Sequence, residues 1–172
     1  GKDLKSKALK SLFYSLIGIL IYVGFRFRHF NFAAAGVIAL LHDVAVTAGF
    51  LALTGREMSL TVVAALLTIA GYSINDTIVI YDRIREVIRT MPKVGLKDVI
   101  NIAVNQTMSR TILTTLCTLL VVLALFFYGG EVINVFSFCL LIGFMSGIYS
   151  TVFIASPLIL VWEGFNSGKN KK

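Results

Sequence analysis

The chain has 172 residues, of which 57% are hydrophobic, with a mean hydropathy of +0.85 and a formal charge of +7. That apolar fraction lies above the soluble range, so a single water-soluble domain is excluded and a polytopic, all-α membrane protein is expected. The positive charge implies no nucleic-acid partner, because the cations fall between the apolar stretches, where topology and anionic membrane lipid account for them.

In chain order, residues 1–7 read as the stub of an extracytoplasmic domain, with Gly1 a cut point. Five apolar stretches follow, at about 8–25, 31–53, 59–81, 107–128 and 133–162, each long enough at 1.5 Å per residue to cross a core of about 30 Å. Short connections make neighbours antiparallel. The first stretch is not a signal peptide, since four more of its kind follow and no small-residue cleavage site closes it. An odd number of spans puts the termini on opposite sides. Lys2, Lys5, Lys7, Lys10 and Arg56 fall on one side; Arg26, Arg28, the cations from Arg83 to Arg110, and Lys169, Lys171 and Lys172 fall on the other, and this is the larger share of the 16. The positive-inside rule then places the N-terminus outside and the tail, 163–172, in the cytoplasm.

Within the second stretch, Ala45 and Gly49 form a small-xxx-small pair. Gly143 and Gly147, extended by Ser146 and Ser150, form another in the last stretch, as close helix packing requires. The long connection, 82–106, is amphipathic. Ile84, Val87, Ile88 and Met91 recur at helical spacing, which predicts a cytoplasmic helix lying along the inner interface until Pro92 stops it. After Gly95 a second pattern, Leu96, Val99, Ile100 and Ala103, leads back to the membrane. Pro157 lies near the cytoplasmic end of the last span, where a kink is tolerated. Cys117 and Cys139 lack CxxC or Cys/His spacing and read as small hydrophobes, with no metal site.

The informative residues are ionisable groups inside apolar stretches. Asp76 lies in G-Y-S-I-N-D-T-I-V-I-Y-D-R-I-R, residues 71–85. A charged group at mid-bilayer costs roughly 2.5–3.5 kcal/mol on insertion scales, so it normally faces protein or a water-filled path and serves a function there. Arg110 opens the fourth span at a similar depth. Low dielectric favours a neutral Asp76, while a neighbouring guanidinium favours its carboxylate; a pair that balances these effects is a proton switch. A static bridge is the plainer alternative. Asp43, mid-span beside His42, can act likewise or rest as a neutral acid on Ser or Thr hydroxyls. Adjacent helical positions point about 100° apart, so His42 and Asp43 are not expected to face one another.

Paired membrane aspartates also invite an intramembrane aspartyl protease, but neither of the two lies in its YD or GxGD string: Asp43 lies in L-H-D-V and Asp76 in I-N-D-T. There is no Ser-His-Asp layout, HExxH or P-loop, and an enzyme is not expected.

Three strings carry a family resemblance: L-L-H-D-V-A-V-T-A-G-F (40–50), G-Y-S-I-N-D-T-I-V-I-Y-D-R-I-R-E (71–86) and Q-T-M-S-R-T-I-L-T-T (106–115). The chain resembles the SecF family of bacterial protein export, in the resistance-nodulation-division superfamily. The I-N-D-T core is closer to SecF than to SecD. The resemblance implies a six-span subunit of the cytoplasmic membrane, with a periplasmic domain after its first span, of which this chain carries spans two to six. It also implies pairing with SecD, either as a separate chain or as half of a fused one. The implied work is proton-driven completion of export of unfolded polypeptides through the SecYEG channel, with no cofactor beyond the proton gradient. The residues matching Asp76 and Arg110 would form the proton path, with Asp43 a further membrane acid. A resistance-nodulation-division exporter of a small molecule or lipid is the alternative, and a non-transducing scaffold subunit a third reading.

Overall fold

The structure, a computed structural model, describes residues 2–27 and 30–169. Gly1, Arg28, Lys171 and Lys172, which enter the expectations about the cut point and the charge count, lie outside the described residues. The elements are α1 (Lys2–Phe27), α2 (Phe30–Leu53), α3 (Leu60–Thr90), α4 (Leu96–Tyr128), α5 (Gly130–Ser150), a π-helical turn (Thr151–Ala155) and α6 (Ser156–Lys169). No strand occurs among the described residues, and five helical runs are long and apolar enough to cross a membrane, the last joining α5 to α6.

The connections explain where the helices stop. At the end of α2 the chain turns through Gly55, whose φ of 67° favours a residue without Cβ. Ser59 then caps α3 by accepting from the Val62 N–H at 3.3 Å. Gly130, with φ 76°, makes the tight joint between α4 and α5. At the far end of α3, the chain turns at Pro92, as the sequence predicts.

The amphipathic stretches flanking Pro92 are helical, but they do not form a separate interfacial helix. They are unbroken continuations of α3 and α4. Ile84, Val87, Val99, Ile100 and Ala103 face one another and are buried, while Ile88 and Met91 are exposed. The apolar face meets another helix instead of lipid, and sequence periodicity is the same in both cases. Likewise residues 2–7 are the first turns of α1, which projects beyond its apolar window of Lys10–Phe27.

Helix α5 packs against α2, α3 and α4, and α1 packs on α2 and α3 at the edge. Gly143 and Gly147 make the α5 contact with α3 possible. A Cβ at Gly143 would fall on the Ile69 side chain, and one at Gly147 would sit 3.4 Å from Ser73 Cβ. The Ala45 and Gly49 pair does not act this way: both are exposed, and nothing lies within 4 Å of a Cβ built at Gly49.

Contacts at the two ends fix which connections share a side. Arg26 at the end of α1 pairs with Asp82 at 2.9 Å, and Arg85 donates to the Arg26 carbonyl at 3.3 Å. At the opposite end Arg56 donates to Asn134 Oδ1 at 2.8 Å and lies 4.4 Å over the Phe138 ring. The α1–α2 and α3–α4 connections therefore share one end, and the α2–α3 and α4–α5 connections the other.

Candidate functional site

Two apolar clusters fill the interior. One joins Phe32 to Leu40 of α2 with Ile74 to Val87 of α3; the other joins Leu51, Val62 to Ile69, and Cys139 to Phe144. Between them lies a layer of buried polar side chains: Asp43, Ser73, Ser146, Ser150, Thr77 and Thr151.

Asp43, 0% exposed, is its centre. Ser73 of α3 and Ser150 of α5 each donate to Oδ2 at 2.7 Å, and Ser146 of α5 donates to Oδ1 at 2.7 Å. His42 corrects the sequence expectation: its Nδ1 lies 3.2 Å from Asp43 Oδ1. The 100° rule describes where Cβ atoms point, and the imidazole is long enough to swing back across that angle. Gly147 completes the cage, since its missing side chain leaves Asp43 Oδ2 only 3.7 Å from where a Cβ would stand. The carboxylate accepts from three helix neighbours on both oxygens, close to its full capacity of about four acceptor sites.

Asp76 is the opposite case. It is buried, 6% exposed, on α3 three residues beyond Ser73, about 4.5 Å along the helix axis toward the Pro92 turn. It accepts no hydrogen bond among the described residues. Arg110 is the cation whose charge acts on it. The ion pairs among the described residues are Arg26–Asp82, His42–Asp43 and Arg83–Glu86, so Asp76 and Arg110 make no direct pair there. Arg110 is exposed on the outer side of α4. The carboxylate is buried and the guanidinium exposed, and the direct bridge that the sequence allows is not made among the described residues.

Beyond Asp76, Thr77 Oγ1 meets Thr151 Oγ1 at 3.1 Å, which links α3 to the π-helical turn. There Ser156 Oγ and its backbone N–H both donate to the Thr151 carbonyl. Pro157, which offers no N–H to the helix, follows at once; a widened turn is a common answer to such a break. Sequence reasoning treated Ser146 and Ser150 as packing residues and passed over Ser73, Thr77 and Thr151. The S-x-x-D-T spacing in residues 73–77 is the one signal that marks a polar stripe on α3. Cys139 is buried and Cys117 exposed, both free, and no group of three metal-ligating side chains occurs among the described residues.

A bundle of five helices long and apolar enough to cross a membrane, with carboxylates buried among them, defines a polytopic membrane protein. Residues 1–164 match the family model described as protein export membrane protein SecD/SecF, C-terminal, and the chain belongs to that family. The protein translocase subunit SecF of Calditerrivibrio nitroreducens is 52% identical over 92% of this chain and 53% of the relative. That of Rickettsia typhi is 42% identical over 100% and 55%. A solved structure, SecDF in a super-membrane-facing form, superposes with a TM-score of 0.91 at 41% identity, covering 99% of this chain and 23% of that one. The chain thus spans about half the length of the curated relatives it matches.

Proposed function

We propose that this chain is the membrane part of a SecF-type subunit that uses the proton gradient to promote late steps of protein translocation. The carrying observation is Asp76: a buried carboxylate that accepts no hydrogen bond and makes no ion pair among the described residues, with Arg110 the cation whose charge acts on it. Such a group changes protonation at little structural cost. The solved relative, whose name joins SecD to SecF, supports a SecD partner. The SecYEG channel, an unfolded exported chain and anionic lipid complete the proposed partners. The proposal invokes no cofactor beyond the proton gradient and no catalytic centre, and the exporter reading is not favoured by relatives that are translocase subunits.

The whole protein with its SecD partner, in vesicles carrying the channel, tests this directly. With ATP exhausted after partial translocation, imposing a proton gradient should speed completion several-fold, and an uncoupler should remove the gain. Completion indifferent to the gradient would count against the proposal.

Direction matters equally. The charge distribution supports the Pro92 turn facing the cytoplasm and the α4–α5 joint facing outside. Lys93 and Glu131 are exposed. With Cys117 and Cys139 replaced, a cysteine at position 93 should resist a membrane-impermeant thiol reagent in intact cells and react once the membrane is opened. One at position 131 should react in both. The reverse pattern would invert the proton path.

A further inference from the structure

Asp43 is sealed from every side but one. On that side stands His42, whose side chain is 33% exposed. It borders a groove of about 400 Å³ between α2 and α5, lined also by Val46, Phe50, Ile142, Met145 and Tyr149. With Nδ1 turned to Asp43, Nε2 has no hydrogen-bond partner among the described residues. We propose that His42 and Asp43 form a second proton-binding site, separate from Asp76 and Arg110, in which His42 is the residue that exchanges protons with the groove. This rests on the proton-coupled reading above.

The transfer balances simply. A hydronium in the groove gives its proton to Nε2 and leaves as water; the imidazolium passes its Nδ1 proton to Asp43 Oδ1, and His42 is left neutral with the proton on Nε2. The groups facing the dyad are Ser73 from α3, and Ser146, Ser150 and Tyr149 from α5, the last ring 6.0 Å from the imidazole. Among the described residues no Lys or Arg pairs with either member. No fixed cation there offsets a charge on the dyad, and uptake of one proton changes its charge by one.

The protein responds at Oδ1. Once protonated, that oxygen donates to His42 Nδ1 where it had accepted from it, and its acceptance from Ser146 weakens. Ser146 belongs to α5 and sits one residue from Gly147, where α5 closes on Ser73. Occupancy of the site thereby reaches the α2, α3 and α5 crossing, one helical turn from Asp76.

The test uses the complete protein with its SecD partner and compares wild type, His42→Gln and Asp43→Asn. Glutamine keeps a donor beside Asp43 but cannot relay a proton. Export stimulation by the gradient, followed from about pH 6 to about pH 9, should survive in His42→Gln at the acid end. It should fall about tenfold below wild type at the alkaline end, a shift of the profile by about one pH unit. Infrared titration of the same protein gives a readout independent of export: a carboxylic C=O band absent in Asp43→Asn should appear at lower pH in His42→Gln than in wild type. Superimposable profiles and bands would overturn the proposal, as would an equal loss at every pH with an unmoved band, which marks a structural role. If wild type itself shows no gradient dependence, the proposed function fails while the infrared band still decides the dyad.

Discussion

Replacing Asp76 by Asn in the complete protein should reduce gradient-driven export to the level seen without the subunit, while abundance and association with SecD stay within about twofold of wild type. The two halves of that expectation come from one geometric fact. Asp76 accepts no hydrogen bond among the described residues, so an isosteric amide breaks none, and the stability change should stay within the about ±0.5 kcal/mol usual for substitutions that disturb no contact. The amide cannot take up or release a proton, so all work that depends on that event is lost. The work at stake is modest: one charge crossing 100 mV is worth about 2.3 kcal/mol, roughly a fiftyfold bias in an equilibrium. Moving a two-state domain from 1:99 to 99:1 takes about 5.5 kcal/mol. One proton per cycle biases a conformational step without locking it.

Arg110 sharpens the prediction. It is the cation acting on Asp76, yet it makes no ion pair with it among the described residues. If the two work as one unit, Arg110→Gln should be nearly as damaging as Asp76→Asn. The double substitution should be no worse than the poorer single one, because members of a unit are strongly non-additive. Export rates in the three variants measure this, and multiplying defects would mean two unrelated sites.

Asp76 was legible in the sequence because a single carboxylate in an apolar run has few structural reasons to exist. The helical spans were legible for a similar reason, since length and hydropathy are local properties. The Asp43 cage was legible in kind, as Ser or Thr hydroxyls around the acid, but not in its members. Its donors Ser73 and Ser150 lie 30 and 107 residues away, and only the packing of α3 and α5 brings them together. Ser146 and Ser150 could be seen as small residues on one face, but a serine that allows close approach and a serine that donates to a buried acid look the same in one dimension. The position of Arg110 shows the matching limit: counting residues gives depth along a helix, whereas contact also depends on rotation about its axis.

Gly143 joins the fold to the site. Substituting alanine there should destabilise the protein by about 1–3 kcal/mol, the usual cost of forcing a methyl group into a filled interface. Leucine should leave little folded protein in the membrane. The obstacle is the Ile69 side chain, on which a Cβ at position 143 would fall. Gly49→Ala is the control, because a Cβ there meets nothing within 4 Å and alanine is the better helix former. Thermal unfolding in detergent and abundance in the membrane both report the difference. If steric overlap is the cause, adding Ile69→Ala should recover at least half of the loss in Gly143→Ala, since the space vacated is the space required. Recovery of stability should also bring back export, because it is the closure of α5 at Gly143 that sets Ser146 and Gly147 against Asp43. A Gly143→Ala protein as stable as wild type would mean that α5 does not rest on α3 at this point, and the serine cage one turn further on would lose its support.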